Sequence, residues 1–296
     1  MQRRDFIRDS GLAVISLGVF GSVTWGQGRF VGSSPTATDI LGPFYRPNAP
    51  FRKNLNPRDF RGKVLHLSGT ILKDGKTRMK DCLVEIWQCE EDGFYDNLSD
   101  DYRYRASQRT GKNGEYRFVT VMPVPEPTDE TRKVYRPPHI HLRISAKDQQ
   151  DLITQIYFAG AQYLETDPST RSGAATNRVL ELKKIDDRND EIRFDIALRN
   201  EYVPEDAVFQ KLSGVYKMSD GSMMEFFRDG DLLFYKTNNQ IWGALAYQGN
   251  NTFGGKEDHT EARFEVLPRG SAKVWFRFSR RRETRLEGKK VLNYQS

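Results

Sequence analysis

Two histidines stand two residues apart in the run Arg136-Pro137-Pro138-His139-Ile140-His141. On an extended strand residues i and i+2 share a face, so both imidazoles project from one side and Ile140 from the other. That pairing suits a single transition ion, with iron, zinc and copper the natural candidates for imidazole. The same spacing also serves a pair of surface or hydrogen-bonded structural histidines. Only four histidines occur in the chain. His66 lies on an alternating segment and reads as structural or exposed, and His259 lies in a polar turn and reads as solvated. The two cysteines, Cys82 and Cys89, would be about 23 Å apart on one strand. A disulfide tolerates about 7 Å between Cα atoms, so both read as free or buried thiols.

The elements that must position these residues are strands. Alternating or apolar runs predict them at 64–72, 82–89, 114–121, 139–145, 152–160, 179–186 and 191–198, with turn residues between. No helical pattern of comparable strength follows residue 30. Strands at this spacing imply a sandwich or small barrel. A break at 201–206 separates a second β-rich unit over 207–296, with hairpin turns expected at Asp229-Gly230 and Asn250-Asn251.

Composition agrees with two β-rich units. The chain has 296 residues, 46 Lys+Arg against 40 Asp+Glu, and 12% aromatic residues. The resulting formal charge of +6 is a mild excess that does not argue for nucleic acid. The basic run at 279–285 reads as a polar strand end. At the front, Arg3-Arg4-Asp5-Phe6-Ile7 precedes an apolar stretch over 11–25. The stretch is shorter than the roughly 20 residues of a membrane span. The segment 1–28 resembles a twin-arginine export signal.

An alternative for His-x-His is quickly tested. Cupin barrels resemble a His-x-His followed within a few residues by Glu, and no acid follows His141 before Lys147. Instead, five segments resemble the intradiol ring-cleavage dioxygenases, the family of protocatechuate and catechol dioxygenases. They are DILGPFYRPNAP (39–50), the long run VLHLSGTILKDGKTRMKDCLVEIWQCEEDGFYDN (64–97), GEYRFVTVMPVP (114–125), RPPHIHLRIS (136–145) and TQIYFAGAQYLETDP (154–168). Their order and spacing match over roughly 38–200.

The resemblance implies an all-β architecture: an intradiol-dioxygenase-like sandwich over 29–203, followed by a small lipocalin-like accessory domain over 207–296. It also implies one Fe(III) per chain, held in the family by two tyrosinates and two histidines. Tyr95, His139 and His141 fall on three of those ligands. The second ligand tyrosine should lie thirteen residues before the first histidine, where this chain has Glu126. Glu126 could ligate the ion and keep the same charge count. Tyr135 could swing in, or the site could hold another metal or none. Arg136 falls on the arginine beside the substrate ring, Gln155 on a glutamine behind the site, and Gly42 and Phe44 on the loop bordering the substrate pocket.

The expected reaction is O2-dependent opening of a catechol-type ring to a muconate-type diacid. Two alternatives stand beside it: an exported, non-catalytic aromatic-binding protein on the same fold, and a metal-assisted hydrolase with Glu126 as base. The expected partners are a catechol-type small molecule and O2, with homo-oligomerisation left open, no nucleic acid, and no stable membrane span after signal removal. The expected location is the periplasm or cell envelope.

Overall fold

The structure, a computed structural model, describes three short N-terminal strands within 13–32 and then residues 36–292. Residues 58–59, 61, 74, 130, 132, 172, 199–204, 256–259 and 280–282 are excepted. Strands β1 (Ala13–Ser16), β2 (Ser22–Gly26) and β3 (Arg29–Gly32) form a small antiparallel sheet. The apolar stretch read as a signal core overlaps β1 and β2. Arg3, Arg4 and His259 lie outside the described residues, as does most of the expected 201–206 break.

The sandwich follows. Its strands are β4 (Val64–Lys73), β5 (Thr77–Arg78), β6 (Leu83–Trp87), β7 (Arg105–Arg109), β8 (Glu115–Val121), β9 (Glu126–Asp129), β10 (Val134–Arg136), β11 (His139–Ala146), β12 (Gln149–Phe158), β13 (Val179–Leu180), β14 (Lys183–Lys184), β15 (Asn189–Arg193) and β16 (Ile196–Leu198). One sheet has the order β13-β12-β11-β6-β7, and the facing sheet β14-β15-β4-β16 with β5 and β8 also on β4. The alternation read along β4 is the observed one, with Leu65, Leu67, Gly69 and Ile71 buried. Leu65, Leu67 and Ile71 meet Ile86, Ile140, Leu142, Ile144 and Ile156 of the opposite sheet in one core.

Three expected elements differ in detail. The segment 179–186 is two short strands, β13 and β14. The segment 191–198 is broken at Phe194-Asp195 into β15 and β16, which both pair with β4. A Cβ on Gly69 would lie 1.9 Å from the Phe194 carbonyl oxygen. The absence of a side chain there lets the broken strand stay against β4, where the Tyr116 hydroxyl donates to the same oxygen at 2.7 Å. Cys82 and Cys89 flank β6 rather than sharing it, and both are free and buried. His66 is half-buried and bonds Asn189 at 3.0 Å, a structural role as read.

The C-terminal unit begins with a helix, Asp206–Leu212. It continues as β17 (Gly214–Met218), β18 (Met223–Asp229), β19 (Leu232–Thr237), β20 (Gln240–Gly249), β21 (Thr252–Gly254), β22 (Glu261–Val266), β23 (Ala272–Ser279) and β24 (Glu283–Leu292), which close into a barrel. Asn250 and Asn251 both have positive φ (48° and 56°), the type I′ hairpin the sequence calls for. The earlier hairpin turns at Gly230-Asp231, one residue beyond the expected pair, because Asp229 still pairs with Leu232. Tyr216, Phe226, Phe253, Phe264 and Phe276 fill the interior, many edge to face, and the helix adds Phe209 and Leu212. An eight-stranded barrel is just wide enough for side chains to fill it, and here they do.

A third apolar cluster joins the two units. It holds Leu41, Tyr45, Trp87, Cys89, Tyr95 and Ile153 from the sandwich side and Leu232 and Phe234 from the barrel. Among the described residues no helix is long and apolar enough to cross a membrane.

Candidate metal centre

The site sits at one end of β11. His139 and His141 are both buried, side by side on one face as the strand period requires. Their Nε2 atoms lie 3.2 Å apart. The Tyr95 hydroxyl lies 3.2 Å from His139 Nε2, and so does Glu126 Oε2. Arg136 NH1 lies 3.2 Å from it as well. Glu126 reaches this point because β9 and β10 form an antiparallel ribbon in which Glu126 pairs directly with Arg136. Tyr95 comes from the loop after β6. Tyr135 stacks instead on Tyr163, with ring centroids 5.4 Å apart, and takes no part in the cluster.

His139 Nδ1 is 2.7 Å from the Pro137 carbonyl oxygen. An oxygen accepts only, so Nδ1 carries a proton and Nε2 is the nitrogen that faces the site. It faces four polar atoms. Glu126 Oε2 among them is an acceptor, so a proton or a cation between it and Nε2 would satisfy both. Donors about 2.1 Å from one ion are spaced about 3.0–3.4 Å from each other at octahedral to tetrahedral angles. The three spacings from His139 Nε2 fall in that range, compatible with donors to one ion. Among the described residues no group of three His, Cys, Asp or Glu alone is placed to hold an ion. The atoms around His139 Nε2 include the Tyr95 hydroxyl.

Electrostatics agree. Burial pushes His141 well below the usual imidazole range, helped by His139, Arg136 and Arg105, so it is a neutral donor. Burial pushes the Tyr95 phenol well above its usual range, with Glu126 and Cys89 adding to this against Arg136 and Arg105. A cation would reverse that shift and favour tyrosinate. Glu126 is also buried, which alone would raise it. Its contact with His139 and the charge of Arg136 outweigh burial and hold it below the usual carboxylate range.

Arg136 is held in a fork. Its Nε donates to Asp167 Oδ2 at 2.9 Å, and NH2 donates to Gln155 Oε1 and to the Tyr157 hydroxyl, each at 3.0 Å. Gln155 Nε2 in turn donates to the Ile40 carbonyl oxygen at 2.8 Å. Tyr157 donates to Asp39 Oδ2 at 2.9 Å, and the same oxygen pairs with the buried Arg178. Trp87 stacks on His141, 4.9 Å between centroids at 9°.

The loop 40–46 covers the other side. Gly42 has φ +76°, and a Cβ there would lie 3.3 Å from His141 Cε1. Glycine serves both the left-handed backbone and the close approach. Phe44 stacks on Tyr95 at 4.5 Å, while its carbonyl oxygen accepts from Arg105 at 2.6 Å.

All seven expected site residues besides Phe44, namely Gly42, Tyr95, Glu126, Arg136, His139, His141 and Gln155, are brought into one connected group. Phe44 joins through Tyr95. Sequence reasoning assigned no role to Asp167, Tyr157, Asp39, Arg178, Trp87 or Arg105. A buried arginine needs an anion, and Asp167 stood in the quoted run 154–168 as a candidate.

A family model described as Dioxygenase matches residues 40–200. A chlorocatechol 1,2-dioxygenase of Rhodococcus opacus is 31% identical over 186 residues, which cover 56% of this chain and 70% of that protein. The intradiol ring-cleavage dioxygenase prcA of Aspergillus niger is 36% identical over 160 residues, 46% of this chain and 49% of that protein. The chain thus spans about half the length of the Aspergillus relative. Among solved structures, a catechol 1,2-dioxygenase from Pseudomonas arvilla C-1 superposes with TM-score 0.50 at 25% identity, covering 57% of this chain and 64% of that one. A 3-chlorocatechol 1,2-dioxygenase from Rhodococcus opacus 1CP shares the fold, with TM-score 0.51 at 24% identity over 56% of this chain and 73% of that one.

Proposed function

Since this chain belongs to the intradiol ring-cleavage dioxygenases, a family of oxidoreductases, we propose that it opens a catechol-type ring between its two hydroxyl-bearing carbons, using O2 and one iron(III). The observation that carries this reading is the meeting of Tyr95, Glu126 and His141 around His139 Nε2 at 3.2 Å, beside Arg136.

Tyr95, Glu126, His139 and His141 would hold the ion, two anionic oxygens and two neutral nitrogens. Iron(III) held there supplies a hard Lewis acid that favours the catechol dianion and makes the ring reactive toward O2. The chain's own residues do the rest. Arg136 is charged at every relevant pH and faces the cluster, so it stabilises negative charge developing on the ring. Asp167, Gln155 and Tyr157 fix its plane. Glu126 is ionised and can accept a proton from a substrate hydroxyl. Trp87 and Phe44 exclude water from the two ligand rings they cover. Both oxygen atoms enter the muconate-type diacid, so no outside reductant is needed.

Elemental analysis of the purified protein should find about one iron per chain, with a visible tyrosinate-to-iron band. Catechol should drive O2 uptake and a rise in muconate absorbance. A colourless, iron-free protein, or an iron-loaded one that consumes no O2 with any catechol, would overturn the reading. Glu126→Ala should lose most of the iron; full retention would remove Glu126 from the ligand set.

The paired Arg3-Arg4 and the apolar stretch support a second proposal, export through a twin-arginine route to the periplasm or envelope. A reporter fused to residues 1–35 should be exported, and Arg3→Lys with Arg4→Lys should block it.

A further inference from the structure

The barrel reaches the site through the loop 40–46. Gln240, the first residue of β20, donates its Nε2 proton to the Pro43 carbonyl oxygen at 3.2 Å. Pro43 stands between Gly42, which lies over His141, and Phe44, which stacks on Tyr95. Two residues on, Tyr45 packs against Phe234 of β19 with ring centroids 5.8 Å apart. Leu41 and Tyr45 share one apolar cluster with Leu232 and Phe234, and Ile241 and Ala244 pack against it.

A polar clamp stands beside this cluster. Arg143 of β11 donates to the Tyr45 hydroxyl at 2.8 Å, to Asp151 at 2.8 Å, and across the boundary to Asp229 Oδ2 at 2.8 Å. Arg143 NH2 also donates to the Asp229 carbonyl oxygen at 3.1 Å. Glu85 lies 3.5 Å from Arg143, so three carboxylates share one guanidinium. The hairpin approaches so closely that a Cβ on Gly230 would meet Asp151 at 2.4 Å and Arg143 at 2.8 Å. Gly230 has φ +61° as well, so the docked hairpin depends on glycine.

We propose that the C-terminal barrel is the buttress of the substrate-bordering loop, with Gln240 as its positioning residue and the Asp229–Arg143 pair as the clamp that seats it. The proposal rests on the ring-cleavage reading only for its kinetic consequence. Among the described residues the barrel interior is packed with its own rings. What it offers the site is its outer face, at β19 and the start of β20. Each residue of the segment Leu41–Tyr45 is then fixed from a different side: Leu41 by burial, Gly42 by His141, Pro43 by Gln240, Phe44 by Tyr95 and Arg105, and Tyr45 by Arg143 and Phe234. The barrel supplies the Pro43 bond, part of the Tyr45 packing and part of the cluster that buries Leu41.

The test uses the full-length, iron-loaded protein with Gln240→Glu, which keeps size but removes the donor, and Gln240→Lys, which restores an N–H. Gly230→Ala tests the clamp independently. Hydrogen exchange of residues 40–46 should accelerate in Gln240→Glu and Gly230→Ala and return toward wild type in Gln240→Lys. Iron content and the visible band should not change. With catechol as substrate, KM should rise roughly two- to ten-fold, the loss of one neutral hydrogen bond, while kcat stays within about two-fold. Unchanged exchange in 40–46, or faster exchange with unchanged KM, overturns the proposal. If the wild-type protein opens no catechol, the ring-cleavage reading falls, and the exchange measurement still decides whether the barrel holds the loop.

Discussion

The open-sheeted sandwich and the closed barrel are both β structures with apolar cores, yet they bury different things. Among the described residues the barrel buries only Ser213 and Thr260 as polar side chains, and its interior is a cluster of rings. The sandwich buries Asp39, Glu85, Arg105, Glu126, His139, His141, Arg143, Asp151, Asp167 and Arg178. Burying a charge is costly unless it is paired and hydrogen-bonded. An assembly that buries so many in one unit and so few in the other has concentrated its chemistry in the first. The barrel can be repacked with apolar residues of similar volume; the site end of the sandwich cannot.

That contrast can be broken or sharpened by substitution. The largest effect is expected for His139→Ala, which removes the nitrogen at the centre of the cluster. Iron content and catechol-dependent O2 uptake should fall to background while far-ultraviolet circular dichroism still reports a folded β protein. Retained iron would show that the cluster is not the metal site.

Next is Asp39→Ala. It leaves Arg178 buried without its carboxylate and frees Tyr157 from its acceptor. Removing one partner of a buried pair costs about 3–5 kcal/mol, to be read from denaturant unfolding. Gly69→Ala should cost about 1–3 kcal/mol by overpacking against the Phe194 carbonyl, with no change in metal content of the folded fraction. The smallest effect is expected in the barrel. Phe226→Leu should cost less than about 1.5 kcal/mol if the neighbouring rings repack and leave ring cleavage intact. A barrel substitution of this kind that abolished activity would break the comparison.

Much of the strand placement was legible because alternation in β4 and β8 and the apolar runs of β6, β11 and β12 are local signals. His139 and His141 were legible for the same reason: a two-residue spacing on a strand fixes a shared face. Tyr95, Arg136, Gln155, Gly42 and Phe44 came from the likeness of whole segments, since nothing local marks them. Asp39, Tyr157 and Arg178 were not legible. They meet across 118 and 139 residues of sequence, and only the folded sheets bring them together. The break at Phe194-Asp195 was missed because the run 191–198 keeps an apolar pattern through it. The docking of the barrel on the loop 40–46 was equally hidden, because Gln240 is an ordinary polar residue until Pro43 stands opposite it.

The hydrogen bond from Gln240 to Pro43 spans 197 residues, and β24 must pair with β17 before the barrel closes. A chain elongating from its N-terminus completes Tyr95, Glu126, His139 and His141 about a hundred residues before Gln240 emerges, and domains fold largely as units during synthesis. The loop over the site is therefore made well before it is secured. Assembly has a built-in order: an interval in which the donor cluster is complete but its cover is not yet pinned, closed when the final strand is in place.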